Sequence, residues 1–541
     1  MQITCLGACH CVTGSCFLIE QGRKKFLLDC GLFQGGRQME ALNRSPWGFN
    51  PADIEALFLT HAHIDHCGRI PKLVKEGFRG KIFASAPTVE LTKILLLDSA
   101  HIQEMEAEWQ TRKNKRRGDP LSEPLYRLED AEACFELFEP VVQGEILRPD
   151  ADLSIRFRNS GHILGSSLLE IWDGPPDSAL KTVFTGDLGH GGQMILQDPE
   201  TVSEADILFI ESTYGNRNHR SFEESEEELL KAIRFSFSHG EKVLIPAFAV
   251  ERTQELLFIL GKFFREKLIP SMPVYLDSPL AIAATNIFRN MKTYYDEKTR
   301  AALDSGNDPF NFDQLVLTRS AFESMEINSH HGPAIVIAGN GMCTAGRIRH
   351  HLKHNLWRPG CSLVIAGFQA AGSLGRNIVE GARMVKILGE RVIVRAKVFT
   401  IGGLSAHADQ NALLAWLGHF KNPGLRVYVI HGEPNVSEEF AGIVRRKFGF
   451  VSQVPSIGDR ISDQAAIEQA GAAFPKMEGE APEWFKRISE LARTADALRN
   501  ALATPGVDLP PHVLQRIEDE MISAKAHLDD ALQSARANPS S

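Results

Sequence analysis

Short apolar runs open the chain. "QITCLG", "SCFLIE" and "KKFLLDCG" alternate with turn-forming residues and predict strand, turn and strand. "IEALFLT", "GKIFAS" and "KTVFTGD" follow, with helical stretches between them. Frequent strands and frequent helices together predict an α/β layered fold. From about residue 206 the pattern becomes a regular βα alternation. The runs "ADILFIEST", "EKVLIPAF", "MPVYLDSP", "PAIVIAGN", "CSLVIAGF" and "RAKVFT" are each bounded by Gly, Pro or Ser. Near-continuous apolar strands separated by helices predict a parallel sheet covered on both faces. This reads as a separate Rossmann-like unit over 206–394. No G-x-G-x-x-G opens its helices, so a dinucleotide is not implied.

Strands resume at "LRVYVIHGE", and the last stretch changes period. Trp484, Ile488, Leu491, Ala495, Leu498 and Leu502 recur every three or four residues, as do Val513, Ile517, Met521, Ala524, Leu528 and Leu532. "TPGVDLPP" separates the two series, which predicts a linker and antiparallel helical hairpin within 461–541. Its apolar stripe needs a partner, either the body of the chain or a second copy in a homodimer.

Length adds that 541 residues exceed one average domain and suit two to four. Apolar content of 43% and charged content of 23% are ordinary for globular proteins. No apolar run is long enough to span a membrane, and "MQITCLGACHC" has no signal-peptide pattern, so a cytoplasmic protein is the expectation. Net charge is 59 − 68 = −9, which argues against a broad basic surface for nucleic acid but leaves room for a local groove. The one dense basic run, Arg112 to Arg117, reads first as a solvated face. Nine cysteines, five of them in the first 30 residues, include no Cys-x-x-Cys pair; Cys9-His10-Cys11 reads as free thiols beside a turn.

The densest chemistry lies in "LFLTHAHIDHCGRI". An apolar strand ends at Thr60, and His61, His63, Asp65 and His66 follow. Two imidazoles two residues apart can face one cation, and the acid and imidazole after them can face a second. One loop thus offers ligands to two metals about 3.5–4 Å apart, as two-metal hydrolases use. The plain alternative is three solvent-facing histidines in a polar loop. "RNSGHILGSSLLEI" presents His162 between glycines, and "KTVFTGDLGHGG" presents Asp187 just after a strand. Each alone is compatible with a structural turn; together they complete a set of His, Asp and bridging carboxylate.

"THAHIDHCG", "SGHILGS" and "TGDLG" resemble the metal motifs of the metallo-β-lactamase superfamily, and "LLDCG" with Asp29 resembles the motif that precedes them. "FIESTYGNR" with Glu211, "LSAHAD" with His407 and "VIHGE" with His431 resemble motifs A, B and C of its β-CASP branch of nucleases. "PAFAVERTQELL", "AGNGMCTAGRIRHHL" and "GFQAAGSLGR" fit the same branch, and the resemblance runs over about 1–460. It implies a four-layer αββα domain in two parts, 1–205 and 395–460, with the β-CASP domain inserted at 206–394. His at motif C resembles the RNA-processing members, so the partner implied is single-stranded RNA.

The resemblance also implies two zinc ions. One would be held by His61, His63, His162 and Asp187, the other by Asp65, His66, His431 and again Asp187. Asp29 would support these ligands from behind. A metal-bridging hydroxide would attack phosphorus in line, leaving a 5′-phosphate and a 3′-hydroxyl. His407 would donate the proton to the leaving oxygen, oriented by Glu211; the plain alternative is a hydrogen-bonded core histidine. Asp409 reads as a residue that orients backbone or a nearby His. Ser373 and Arg376, with Asn340 and Arg347, are the expected RNA contacts, while His350, His351 and His354 read as packing and surface residues. A small thioester or ester, or DNA, is the alternative substrate. The C-terminal hairpin stands where ribonuclease J has a globular domain, which leaves open endonuclease against 5′→3′ exonuclease action.

Overall fold

The computed structural model describes residues 1–462, apart from 119, 177, 178, 307, 368, 370 and 371. The expected C-terminal hairpin, and with it the dimer reading, lies outside the described residues.

Alternation along the early strands sorts side chains into two layers. Phe26, Leu28 and Phe58 point one way and meet Phe157, Phe184 and Phe209 of a second sheet. Leu27, Leu57 and Leu59 point the other way, onto helices Ile70–Lys75 and Ala86–Arg117. The first sheet runs Arg460–Ser462, Gln2–Cys5, Phe17–Gln21, Lys24–Leu28, Ile54–Phe58, Lys81–Ser85, Phe138–Val141. The second runs Val451–Gln453, Arg426–Ile430, Ile207–Glu211, Lys181–Phe184, Ser167–Asp173, Leu153–Asn159, Ile146–Asp150. Its outer face, with Leu208, Ile210, Val427 and Val429, is covered by helices Gln410–Leu417 and Pro434–Phe448. The layers are therefore helix, sheet, sheet, helix, the αββα order expected. Between the sheets Phe184 and Phe209 stack 4.2 Å apart, and Phe17 meets them at 5.2 and 5.8 Å.

The third sheet runs Leu315–Leu317, Val274–Asp277, Ala334–Ala338, Lys242–Pro246, Ser362–Ile365, Lys397–Thr400, and every pairing in it is parallel. Val243, Ile245, Ile335 and Ile337 fill one side, Leu244, Val336, Leu363 and Ile365 the other. Both faces are buried, which is why these strands read as unbroken apolar runs.

Three expected boundaries move. "ADILFIEST" was assigned to the inserted unit, but Ile207–Glu211 lies in the second sheet, between Lys181–Phe184 and Arg426–Ile430. A doubly covered parallel strand has the same composition in either sheet, so its run could not reveal its partners. The inserted sheet also continues past 394, through Lys397–Thr400, and the returning core reaches Ser462 by pairing with Gln2–Thr4. The edge strand Leu315–Leu317 was not foreseen; it is short and two of its three residues are exposed.

Arg347 is also held by the fold. An expected RNA contact, it donates through Nη1 to Asp277 Oδ1 at 2.7 Å and through Nη2 to the Arg319 carbonyl at 2.8 Å. Asp277 is buried and also binds Ser324 Oγ at 2.6 Å and His351 Nε2 at 2.7 Å. Burial pushes the Asp277 carboxyl up, but His351, Ser324 and Arg347 outweigh it and hold the group at about 2. Asp277→Ala strands these partners and should cost about 3–5 kcal/mol at pH 7. A carboxylate held low stabilises the fold fully above its unfolded pKa of about 3.9 and loses that contribution as pH falls towards its folded value. Urea unfolding should therefore show a gap between wild type and variant at pH 7 that narrows below about pH 4. Equal stability at pH 7 would contradict this account.

Strand direction places the chemistry. Lys181–Phe184, Ile207–Glu211 and Arg426–Ile430 are mutually parallel. Leu153–Asn159 runs the same way, being two antiparallel steps from Lys181–Phe184. Asp187, Glu211, His431 and His162 therefore follow carboxyl ends on one edge. Lys24–Leu28 and Ile54–Phe58 are parallel in the first sheet and deliver Asp29 and His61 to a shared edge.

Candidate active site

Past Ile54–Phe58 the chain turns into the four-residue helix Ile64–Cys67, which puts Asp65 and His66 one turn from His61 and His63. His63 Nδ1 lies 3.1 Å from both His61 Nε2 and His162 Nε2. Asp187 Oδ2 lies 3.5 Å from each of the same two Nε2 atoms. One ligand atom from each of His61, His63, His162 and Asp187 falls within 4.8 Å of the others. Asp65, His66 and His431 form a second such group. There His66 Nε2 and His431 Nε2 are 3.2 Å apart, and Asp65 Oδ2 is 3.6 Å from His431 Nε2. Asp187 Oδ1 faces this second group, 3.4 Å from His66 Nε2 and 3.6 Å from His431 Nδ1. One carboxylate thus stands between two sets of donors.

Close backbone approach makes this compaction feasible. Gly186, at φ +52°, lets the Asp187 turn pass Thr60; an added Cβ would sit 3.0 Å from the Thr60 Cβ. Gly31 passes the Asp65 carbonyl, where a Cβ would sit 1.5 Å from the oxygen.

The groups fit cations. Asp29 Oδ2 lies 2.7 Å from His66 Nδ1, and a carboxylate only accepts, so His66 turns its Nε2 lone pair inward. That lone pair meets another imidazole nitrogen, while Asp187 Oδ1 is buried without a hydrogen bond among the described residues. Burial holds His61 and His162 well below the usual imidazole range and His63 at about 4, so all three are neutral at pH 7, the form that binds metal. Burial also pushes His66 and His431 down, but the Asp187 charge and neighbouring carboxylates raise both. A proton there answers the same negative charge that a cation would answer. The nitrogen and oxygen donors suit zinc.

Two supporting residues escaped the sequence reading. Thr60 Oγ1 lies 3.0 Å from His61 Nδ1 and from both Asp29 oxygens. Thr213 Oγ1 lies 3.1 Å from His431 Nδ1. Each hydroxyl residue stands one or two positions from a predicted site residue, which is the signal that would have found it. Asp29 aims His66, so Asp29→Asn should weaken zinc binding about 10- to 100-fold in a chelator competition titration. Unchanged affinity would remove Asp29 from that role.

His407 differs from the other rings. It belongs to neither imidazole-rich group. Its Nδ1 lies 3.2 Å from both oxygens of Glu211, a buried carboxylate that also accepts from the Leu188 amide at 2.6 Å. The ring is 4.4 Å from His162 and its Nδ1 is 3.9 Å from Asp187 Oδ2. At 21% its side chain is far more exposed than that of His61 or His162, so its Nε2 side can meet a bound molecule. Burial pushes its pKa down, but Glu211 first, then Asp187 and Asp65, raise it to about 9. Asp409 caps helix Gln410–Leu417 through the Ala412 amide at 2.9 Å and accepts from the His219 amide at 3.1 Å, so it orients backbone as expected.

The remaining candidates lie at the carboxyl edge of the third sheet. Ser373 Oγ accepts from the Arg376 amide at 3.1 Å. Arg376 is half-exposed and pairs with Glu380 at 2.6 Å. Asn340 Oδ1 accepts from the Thr344 amide at 3.0 Å. Arg347 is the one drawn inward, as described. His350 and His354 are exposed, and His351 is buried on Asp277. Cys9 and Cys11 are free thiols and join no metal-binding group among the described residues. No helix among the described residues is long and apolar enough to cross a membrane.

Three family models match in succession. Residues 11–92 match the metallo-beta-lactamase superfamily, 253–378 the Beta-Casp domain, and 391–455 the Zn-dependent metallo-hydrolase RNA specificity domain. A Thermus thermophilus protein named Ribonuclease TTHA0252 is 40% identical over 433 residues, 80% of this chain and 93% of that one. Proteins named Transcription termination factor FttA are similar too. The Lokiarchaeum protein is 30% identical over 83% of this chain and 69% of its own. The Methanocaldococcus jannaschii protein is 28% identical over 85% and 71%.

Proposed function

The chain belongs to the β-CASP branch of the metallo-β-lactamase superfamily, and from that premise we propose that this metal-dependent nuclease is a zinc-dependent ribonuclease acting on single-stranded RNA. It would hydrolyse phosphodiester bonds to leave 5′-phosphate and 3′-hydroxyl ends. RNA is supported by the names of the relatives and by the RNA-specificity match over 391–455, the stretch that holds His407 and His431.

The observation that carries the proposal is the Glu211–His407 pair standing beside the two donor groups. In the proposed mechanism His61, His63, His162 and Asp187 hold one zinc, and Asp65, His66, His431 and Asp187 the second. Bound there, zinc supplies Lewis acidity for phosphate oxygens and an acidified water, with a pKa near about 7. Glu211 fixes the Nδ1 side of His407 and stabilises its charged form. The Nε2 side then carries the proton that a departing 3′-oxygen requires. Asn340, Ser373 and Arg376, in the loops at the carboxyl edge of the third sheet, would contact the RNA backbone, and Arg347 pairs with Asp277.

The test is cleavage of a 5′-phosphorylated RNA labelled at each end in turn, beside DNA of the same sequence, with zinc present. RNA should be cut in preference. Mononucleotides released from the 5′ end identify an exonuclease, and internal fragments an endonuclease. Equal rates on DNA, or turnover of a thioester alone, would reject the ribonuclease reading.

A further inference from the structure

The carboxyl edge of the third sheet meets the core near the donor groups, where Glu251, in the loop after Lys242–Pro246, accepts from the Leu164 amide, two residues from His162. Among the described residues, Phe248 and Leu317 are large apolar side chains exposed at that edge. Phe248, in the loop after Lys242–Pro246, is 40% exposed, while Ala247 and Val250 in the same loop are buried. A single exposed apolar residue is ordinary on a protein surface, so its setting must carry the argument.

The ring rests on backbone from two neighbouring loops. A Cβ on Gly341 would lie 2.8 Å from ring atoms Cδ2 and Cε2, and one on Gly367 would lie 4.0 Å from Cε2. Glycine at 341 is what lets an aromatic ring settle there. Gln369 braces this floor by donating to the Gly341 carbonyl at 2.9 Å.

The loop itself is held from below. Thr253 Oγ1 donates to the Phe248 carbonyl at 2.6 Å, and Gln254 Nε2 to the Ala249 carbonyl at 3.1 Å. Val250, Glu251 and Arg252 form a γ-turn, closed by the Arg252 amide on the Val250 carbonyl at 2.9 Å, with Glu251 at φ 67° and ψ −64°. A non-glycine residue adopts this conformation only when its surroundings impose it. The turn aims the buried Glu251 carboxylate at the Leu164 amide, 3.2 Å away and two residues from His162. Phe248 is three residues from Glu251. At no more than about 3.6 Å of chain per residue, the ring stands within a few nucleotides of the donor groups.

We infer that Phe248 is a stacking platform for one unpaired nucleobase of the bound RNA, an inference that rests on the ribonuclease reading. Every base has a π-face, so a phenyl ring braced on one side and open on the other takes any base. It takes that base only from a strand whose bases are free to splay, which makes Phe248 a selector for single-stranded substrate.

An abasic scan tests this. Full-length wild type, Phe248→Ala and Phe248→Trp, each checked for zinc content, are given a set of single-stranded RNAs that each lack one base. Phe248→Ala should raise KM roughly 5- to 150-fold with kcat within about twofold, and Phe248→Trp should stay near wild type. In wild type, one fixed position relative to the cut should show a similar loss when its base is removed, and that loss should vanish in Phe248→Ala. An unchanged KM in Phe248→Ala, or losses that multiply at every position, would overturn the inference. If wild type cuts no RNA, the ribonuclease reading fails instead, and fluorescence anisotropy on the same RNA set still reports on Phe248.

Discussion

Asp187→Asn is expected to leave less than one zinc per chain and to lower RNA cleavage by at least about a thousandfold. The two oxygens of this carboxylate face different donor groups. Oδ2 is 3.5 Å from His61 and His162, and Oδ1 is 3.4 Å from His66 and 3.6 Å from His431. An amide keeps the shape but removes the charge, and it puts a donor where one side needs a lone pair. Both groups should therefore weaken together. His431→Ala provides the contrast, because it touches the second group alone and should empty one site. Elemental analysis of the purified variants separates the two results. Two zinc ions retained in Asp187→Asn would dismiss the shared carboxylate.

The second large effect concerns His407. His407→Ala should slow single-turnover cleavage by about 10²- to 10⁴-fold, the range for losing a general acid, while two zinc ions stay bound. Its Nδ1 is committed to Glu211 at 3.2 Å, and it belongs to neither imidazole-rich donor group although its ring is 4.4 Å from His162. Glu211→Gln should lose less, because the amide oxygen still receives the Nδ1 proton but no longer stabilises charge. Combining both changes should cost little more than His407→Ala, since the two residues act as a unit. Loss of one zinc from His407→Ala would make it a ligand and end its assignment as proton donor.

The candidate metal-binding residues were legible because their chemistry is local. His61, His63, Asp65 and His66 follow one strand within six positions, and short motifs mark His162, Asp187 and His431. The αββα layers were legible through the resemblance of the metal motifs, while the apolar runs by themselves implied only an α/β layered fold. What escaped depends on partners distant in sequence. Arg347 sat in a glycine-rich motif and read as an RNA contact, but its acid lies 70 residues upstream, at the end of a strand. Ile207–Glu211 read as part of the inserted sheet because a buried parallel strand carries no mark of its neighbours. Phe248 only closed the apolar run "EKVLIPAF"; its setting depends on Gly341 and Gly367, which lie in loops after other strands. The strained backbone at Glu251 has no sequence signature at all.

The chain leaves the core sheet at Glu211 and regains it near His407, 196 residues later, yet these two residues touch. Tyr214 and Asp409 bridge at the same seam. The excursion is thus a cassette spliced in at a single point, and the core sheets run past it unbroken. Such a joint lets the insert be exchanged without disturbing the metal-binding edge. The residue proposed as proton donor, His407, however, sits on the splice itself. A new cassette would bring its own grip on substrate and would reset the position of the acid in the same event, so recognition and proton delivery would be inherited together.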